Sequence, residues 1–239
     1  MKRFIGLILT VIMLLSSVSV FAAMPTEEQL NTLKQCGIMT GDPDGNMRLD
    51  DTITRAEAVK MIIAAQNYVN SSTPEIEKSE FPDVWETHWA KMYINMAKAL
   101  GIVEGDENGN FNPEDDITNE EIVKMLIVVL GYRPMADTVG GFPGGYLSTS
   151  ARIGLTNGLV FKTNTAAKRG DIAVLFANAL NIPLMGQISW STDGDTEYVI
   201  FDGNNGIRKA TLLSEYFGVT EDATEKNEET TENTETTEK

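Results

Sequence analysis

Gly37-Ile38-Met39-Thr40-Gly41-Asp42-Pro43-Asp44-Gly45-Asn46 runs through Met47-Arg48-Leu49 into Ile53-Thr54-Arg55-Ala56-Glu57-Ala58-Val59-Lys60-Met61, and the chain restates this stretch 64 residues later. The second copy is Gly101-Ile102-Val103-Glu104-Gly105-Asp106-Glu107-Asn108-Gly109-Asn110-Phe111-Asn112-Pro113, followed by Ile117-Thr118-Asn119-Glu120-Glu121-Ile122-Val123-Lys124-Met125. Gly falls on Gly, Asn on Asn, Thr on Thr and Lys-Met on Lys-Met without a gap, so the chain is built on an internal repeat. A third, worn copy follows: Ala151-Arg152-Ile153-Gly154-Leu155-Thr156-Asn157-Gly158 repeats the glycine spacing. After a loop three residues shorter, Lys168-Arg169-Gly170-Asp171-Ile172 stands where the first copy has Thr-Arg-Ala-Glu-Ala.

Each copy reads as helix, Gly-rich loop, helix. Leu30, Leu33 and Cys36 recur at helical spacing between Thr26 and Cys36, and Gly37 ends the run as a left-handed cap. The matching helix of the second copy is expected over 88–100, with Trp89, Tyr93, Met96, Ala97 and Leu100 on its buried stripe. Cys36 is expected in the core, and as the only cysteine it has no disulfide partner. Phe81-Pro82-Asp83-Val84 with His88-Trp89-Ala90 leads into the second copy. The third copy has Phe142-Pro143-Gly144-Gly145-Tyr146 in that place, a shorter or looser version.

The second helix of a unit opens at a capping box, because Thr54 with Glu57 and Thr118 with Glu121 place a hydroxyl at the N-cap and a carboxylate three residues on. Behind the cap, Ala58, Ile62 and Ala65 align with Ile122, Leu126 and Val129 and with Ile172, Phe176 and Ala179. Three equivalent apolar stripes invite a mostly α fold, a pseudo-threefold helical bundle of three helix-loop-helix repeats.

The ends differ from the middle. Lys2 and Arg3, the apolar run from Phe4 to Leu15 and the small residues up to Ala23 have the layout of a secretory signal peptide, and the run is shorter than the roughly 20 residues a membrane span needs. This implies export, with no stable membrane insertion after cleavage. We divide the chain into a signal peptide (1–23), repeat 1 (24–78), repeat 2 (79–133), a degenerate repeat 3 (134–186), a small β/α appendage (187–219) and a disordered acidic tail rich in Thr and Glu (220–239). The appendage rests on Tyr198-Val199-Ile200-Phe201 as a strand and a short amphipathic helix from Ala210 to Phe217. The tail has no apolar side chain larger than Ala223.

Thirty-five acidic residues face nineteen basic ones, a net charge of −16. Such a chain repels nucleic acid and anionic lipid, so an anionic ligand must be held by local donors. Asp42-x-Asp44-x-Asn46 and Asp106-x-Asn108-x-Asn110 imitate the first ligands of a calcium loop, but Met47 and Phe111 stand where its glycine belongs, and Ile53 and Ile117 where its bidentate acid belongs. We therefore expect no metal and no cofactor. The single histidine, His88, has no Cys/His spacing around it and no nucleophile elbow is present, so no catalytic residue is expected. Trp89 is assigned to the core, while Trp85 and Trp190 are less constrained and are free to stack on a ligand ring.

Taken together, the Phe-Pro-Asp-Val and His-Trp-Ala lead-in, the Gly-Ile-Val-x-Gly and Gly-Asn-Phe-Asn-Pro loop and the Ile-Thr-Arg-Ala-Glu helix start resemble the S-layer homology domain of bacterial cell-envelope proteins, over about residues 24–185. The resemblance implies a three-pronged helical spindle with ligand grooves between prongs. It also implies non-covalent anchoring of an exported protein to a secondary cell-wall polysaccharide attached to peptidoglycan, often one with pyruvylated sugars, at the cell wall or S-layer surface.

By the same resemblance the Thr-Arg-Ala-Glu motif assigns Arg55, its degenerate equivalent Asn119 and Arg169 to the grooves. Arg55 sits at a helix start whose first amides lack internal partners, which suits a ligand carboxylate. Gly41, Gly45, Gly105 and Gly109 would let a sugar approach the backbone. Asn119 removes a charge-assisted contact from the second groove, and Lys168 with Gly170 gives the third helix a poorer start. The rival reading is a cell-surface protein–protein adaptor on the same scaffold.

Overall fold

The structure is a computed structural model that describes residues 24–66, 78–190 and 196–200. The signal-peptide segment, the Ala210–Phe217 helix and the acidic tail lie outside the described residues.

Seven helices are found among the described residues: α1 (Glu27–Gln35), α2 (Arg55–Ala64), α3 (Lys91–Ala99), α4 (Asn119–Val129), α5 (Arg133–Thr138), α6 (Gly144–Arg152) and α7 (Arg169–Ala179). The chain is mostly helical, as expected. Two strands follow, β1 (Met185–Trp190) and β2 (Thr196–Ile200), paired antiparallel with Met185 opposite Ile200 and an irregularity between Gln187 and Ser189. No helix among the described residues is long and apolar enough to cross a membrane.

Packing does not follow the sequence repeat. The second helix of one copy packs on the first helix of the next: α2 on α3, α4 on α6, and α7 back on α1. The two helices that flank each loop therefore pack on neighbouring copies rather than on each other, so each copy relies on its neighbours to cover its apolar faces.

The helix starts are joined in the same order. Isolated antiparallel bridges run from Thr54 to Asp116, from Thr118 to Ala166 and from Lys168 to Thr52. Around them Arg55 N donates to Asp115 O at 2.9 Å, Asn119 N to Thr165 O at 3.1 Å, and Arg169 N to Asp51 O at 2.9 Å. Copy 1 is thus bonded to copy 2, copy 2 to copy 3, and copy 3 to copy 1. These bonds also take up first-turn amides that a helix cannot satisfy internally.

The aligned stripes are buried. Ala58, Ile62, Ala65, Ile122, Leu126, Ile172, Phe176 and Ala179 all lie in the core, and Val129 packs against it partly exposed. Each large aliphatic side chain so placed contributes about 1.5–3 kcal/mol. Ile53, Ile117 and Ala167, one per copy, are buried just before the three caps.

Several local expectations are corrected. The first helix of copy 2 starts at Lys91, and its buried residues are Ile94, Asn95 and Ala97. Trp89 is 53% exposed and stacks on His88 with ring centroids 5.8 Å apart. It lies before the first helical residue, so helical periodicity does not govern where it points. Leu100 is exposed, because it is the C-cap and faces outward past the end of the stripe. Cys36 is half-buried against the core, and burial raises its thiol pKa.

In copy 3 the glycine-rich lead-in forms the nine-residue helix α6. A Cβ on Gly145 would overlap the Ala136 carbonyl oxygen, so glycine there serves the close approach of α6 to α5. Gly170 has a comparable reason: a Cβ would come within 3.1 Å of Leu49 O, the atom that accepts from Gly170 N.

Candidate functional site

Two capping boxes form as read from the sequence. Thr54 N donates to Glu57 Oε2 at 2.9 Å and Glu57 N to Thr54 Oγ1 at 3.2 Å, and Thr118 with Glu121 repeats the arrangement. A third box, Thr26 with Gln29, opens α1 and is legible in hindsight from the same Thr-x-x-Gln spacing. Lys168 makes no side-chain cap to α7.

Glu121 has a second partner. Its Oε1 accepts from Arg55 Nη1 at 2.7 Å, while Arg55 Nε donates to Phe111 O at 3.0 Å and the guanidinium carbon lies 5.0 Å from the Phe111 ring centroid. Arg55, with a side chain 15% exposed, therefore ties the start of α2 to the loop and the helix start of copy 2. Arg169 does similar work between copies 3 and 1, donating from Nε to Met47 O at 2.9 Å and from Nη2 to Thr40 O at 3.3 Å. Asn119 is buried and donates from Nδ2 to Lys162 O and Thr165 Oγ1, at 3.1 and 3.0 Å. All three residues occupy the same place in their copies, and each meets the loop of the next.

The loops explain their own glycines. A Cβ on Gly41 would lie 2.9 Å from Asn46 O, and one on Gly105 would lie 3.0 Å from the Gly109 carbonyl carbon. Gly45 and Gly109 have φ of +86° and +80°, which L side chains rarely adopt. Asp42 Oδ1 accepts from Asp44 N and Asn46 N, and Asp106 Oδ1 accepts from Asn108 N and Asn110 N. These backbone donors, that of Asn46 and that of Asn110 foremost, hold both carboxyls below the usual range. The calcium-like aspartates thus close turns with their own amides, and no group of three or more potential metal-ligating acids, His or Cys occurs among the described residues.

Where copy 1 meets copy 2, beside the lead-in of copy 3, the structure opens a cavity of about 430 Å³. Arg55 and Glu121 line it with Gly105, Asp106, Asp115, Asp116, Lys124 and Phe142 among others. Of the glycines singled out from sequence, Gly105 lines it; Gly41, Gly45 and Gly109 do not. Lys124 and Phe142 were missed, because one lies a turn beyond the motif and the other in the degenerate lead-in. Trp85 is 76% exposed, while the side chain of Trp190 lies outside the described residues.

Fold and cleft define a class: a helical binding module built from interlocked repeats, with its cleft at a junction between two copies. Residues 24–59 and 80–122 match the family model described as the S-layer homology domain, and the chain belongs to that family. The third copy lies beyond the matched residues and is tied to the other two by the bridges described above. The chain is 30% identical over 194 residues to a middle cell wall protein of Brevibacillus brevis, covering 81% of this chain and 17% of that protein. It is 28% identical over 197 residues to a cell surface protein of Thermoanaerobacter kivui, covering 77% and 25%. A surface layer protein of Brevibacillus choshinensis is 28% identical over 194 residues, covering 81% and 16%. This chain therefore spans a quarter or less of the relatives it resembles. Family and relatives place the protein at the bacterial cell wall or cell surface.

Proposed function

We propose that the module anchors an exported protein non-covalently to the bacterial cell wall by binding a secondary cell-wall polysaccharide attached to peptidoglycan, an acidic polymer such as one with pyruvylated sugars. In this reading the three bonded helix starts form a pseudo-threefold spindle, with repeats at 24–78, 79–133 and 134–186 and a small C-terminal appendage. The cleft between copies 1 and 2 is the main glycan site. Arg55 and Gly105 form part of its wall, and the Arg169 junction is a second, weaker site. Asn119 has a structural role in the third.

The observation that supports this best is the cavity of about 430 Å³, most of whose lining, Arg55 and Glu121 included, belongs to the matched residues. It is large enough for one or two sugar rings, and its lining combines cations, carboxylates and an aromatic side chain. Sugars are held by such mixtures: hydroxyls need acceptors as well as donors, and ring faces need an apolar wall. The net charge of −16 makes a local cation essential for any acidic glycan.

The test is retention on purified sacculi before and after hydrofluoric acid removes the wall polysaccharide. Retention that disappears with the polymer supports the anchor. Retention on stripped sacculi, or on a protein partner alone, supports the adaptor reading instead.

A further inference from the structure

The cleft lining holds two cations, Arg55 and Lys124. Arg55 is already engaged, with its guanidinium on Glu121 and Phe111 O. Lys124 has no carboxylate within ion-pair distance among the described residues; its ammonium lies 5.3 Å from the ring centroid of Phe142.

Phe142 is itself out of pattern. Its counterpart in copy 2, Phe81, is 4% exposed and packs on Phe111 with ring centroids 5.4 Å apart. Phe142 is 47% exposed, meets Tyr146 edge-on at 6.1 Å, and otherwise faces the cleft. A half-exposed aromatic ring gives up burial that Phe81 gains, and it does so at the rim of a cavity large enough for a sugar.

We propose that Lys124 and Phe142 are the ligand-reading wall of this cleft: Phe142 packs on the apolar C–H face of a sugar ring, and Lys124 Nζ pairs with a carboxylate carried by that sugar. The inference rests on the wall-glycan reading and adds which groups discriminate. A cation–π contact at an exposed rim is weak, so the ammonium exchanges readily to a carboxylate. Arg55 would first have to release a charge-assisted bond.

The acids of the lining fit the same ligand. Glu121 holds Arg55, Asp106 holds its own loop, and Glu104 lies 3.6 Å from Arg133. Asp115 and Asp116 have no side-chain partner among the described residues, and they are placed to accept sugar hydroxyls. Their charge disfavours a densely anionic polymer and suits one carboxylate per recognised ring, turned toward Lys124.

The test titrates the full chain with a pyruvylated secondary wall polysaccharide released enzymatically from sacculi, native or with its carboxylates amidated by carbodiimide. Amidation should weaken wild-type binding by about tenfold or more, the scale of a lost charge-assisted bond. Lys124→Gln should lose about as much on the native polymer and become indifferent to amidation. Lys124→Arg should stay within about threefold of wild type, since it keeps the charge. Phe142→Ala should weaken binding to both polymers about tenfold, with Phe142→Trp restoring it. Melting curves of these rim variants should overlay the wild type. If Lys124→Gln and Phe142→Ala bind the native polymer as wild type does, the assignment is overturned while the glycan reading stands; a wild type that ignores the native polymer removes both.

Discussion

The junction between copies 1 and 2 and the junction between copies 2 and 3 share a backbone and differ in what fills it. Arg55 N on Asp115 O and Asn119 N on Thr165 O are the same bond made twice. In the first junction the next helical residue is Ala56, small enough for Ala56 N to reach Pro113 O at 3.0 Å. In the second it is Glu120, whose buried carboxylate accepts from Asn164 N at 2.6 Å. Asn164, one residue before Thr165, has φ of +54°, and Asn112, three residues before Asp115, has +58°. The amide of Asn112 is taken by Asp83 Oδ2 at 2.6 Å, from the lead-in of its own copy. Copy 3 has Gly144 at that lead-in position, and its loop is held instead by Glu120 of the neighbouring helix, at an amide two positions nearer the cap. The first loop is held from its own lead-in, and the second is held from across the junction by a carboxylate buried inside it. Repeated backbone bonds position a junction, and the side chains decide whether it can admit a ligand.

The comparison breaks most visibly at Phe111. This ring is fully buried, packs on Phe81 and carries Arg55 on its face, whereas Phe161, its counterpart in copy 3, is only partly buried against the core. Phe111→Ala should destabilise the protein by about 3–5 kcal/mol, and Phe161→Ala, which empties a partly exposed site, by clearly less, in denaturant melts. Similar losses at both positions would mean that the two junctions are packed alike.

Arg55→Ala comes next. It removes a charge-assisted bond and leaves Glu121 without its partner, so about 1.5–3 kcal/mol should be lost. A double-mutant cycle with Glu121→Gln should show a coupling of about 0.5–3 kcal/mol. Additive effects would show that the pair is a surface contact with no share in holding the cleft.

Much of this was legible in the sequence. Period and register were, because identical residues at fixed spacing can only fold alike, and so were the capping boxes, whose hydroxyl and carboxylate act within one turn. The partner of each helix was not: α2 packs on α3 rather than on α1, and no local pattern distinguishes its own copy from the next. The motif located the cleft through Arg55 and Gly105, yet the guanidinium is held by Glu121, a residue read as a cap and nothing more. Lys124 and Phe142 escaped because their meeting depends on how copy 3 leans on copy 2. Trp89 was misplaced because a helical stripe was extended past the helix.

Caps sharpen the comparison on a smaller scale. Thr118→Ala removes the acceptor for Glu121 N and should cost about 1 kcal/mol. Lys168→Thr should run the other way, raising stability by about 0.5–1 kcal/mol, since α7 starts without a side-chain cap. A null result for Lys168→Thr in thermal melts would show that the bond from Arg169 N to Asp51 O already satisfies that helix start.

The smallest effect is a difference in pH response between the intact copies and the worn one. Asp42 and Asp106 have carboxyl pKa values lowered in the folded state, so the stability they contribute is present above the unfolded value of about 3.9 and fades as pH falls through their lower native values. Asp171 takes the place of Glu57 and Glu121 in copy 3, but with Lys168 at the cap it has no hydroxyl to complete a box. Burial raises its pKa, with Lys168 opposing. The native state then holds that proton more tightly than the unfolded chain, so an ionised Asp171 costs stability at neutral pH, and the cost is relieved as pH falls through its raised value. Asp171→Asn should therefore stabilise the protein at pH 7, with the gain shrinking toward pH 4. Asp106→Asn should destabilise it at pH 7, with the loss shrinking only as the native carboxyl titrates at lower pH. Urea melts of the two variants across that range check the opposite signs; the same sign for both would mean that the third helix start holds its carboxylate as well as the first two do.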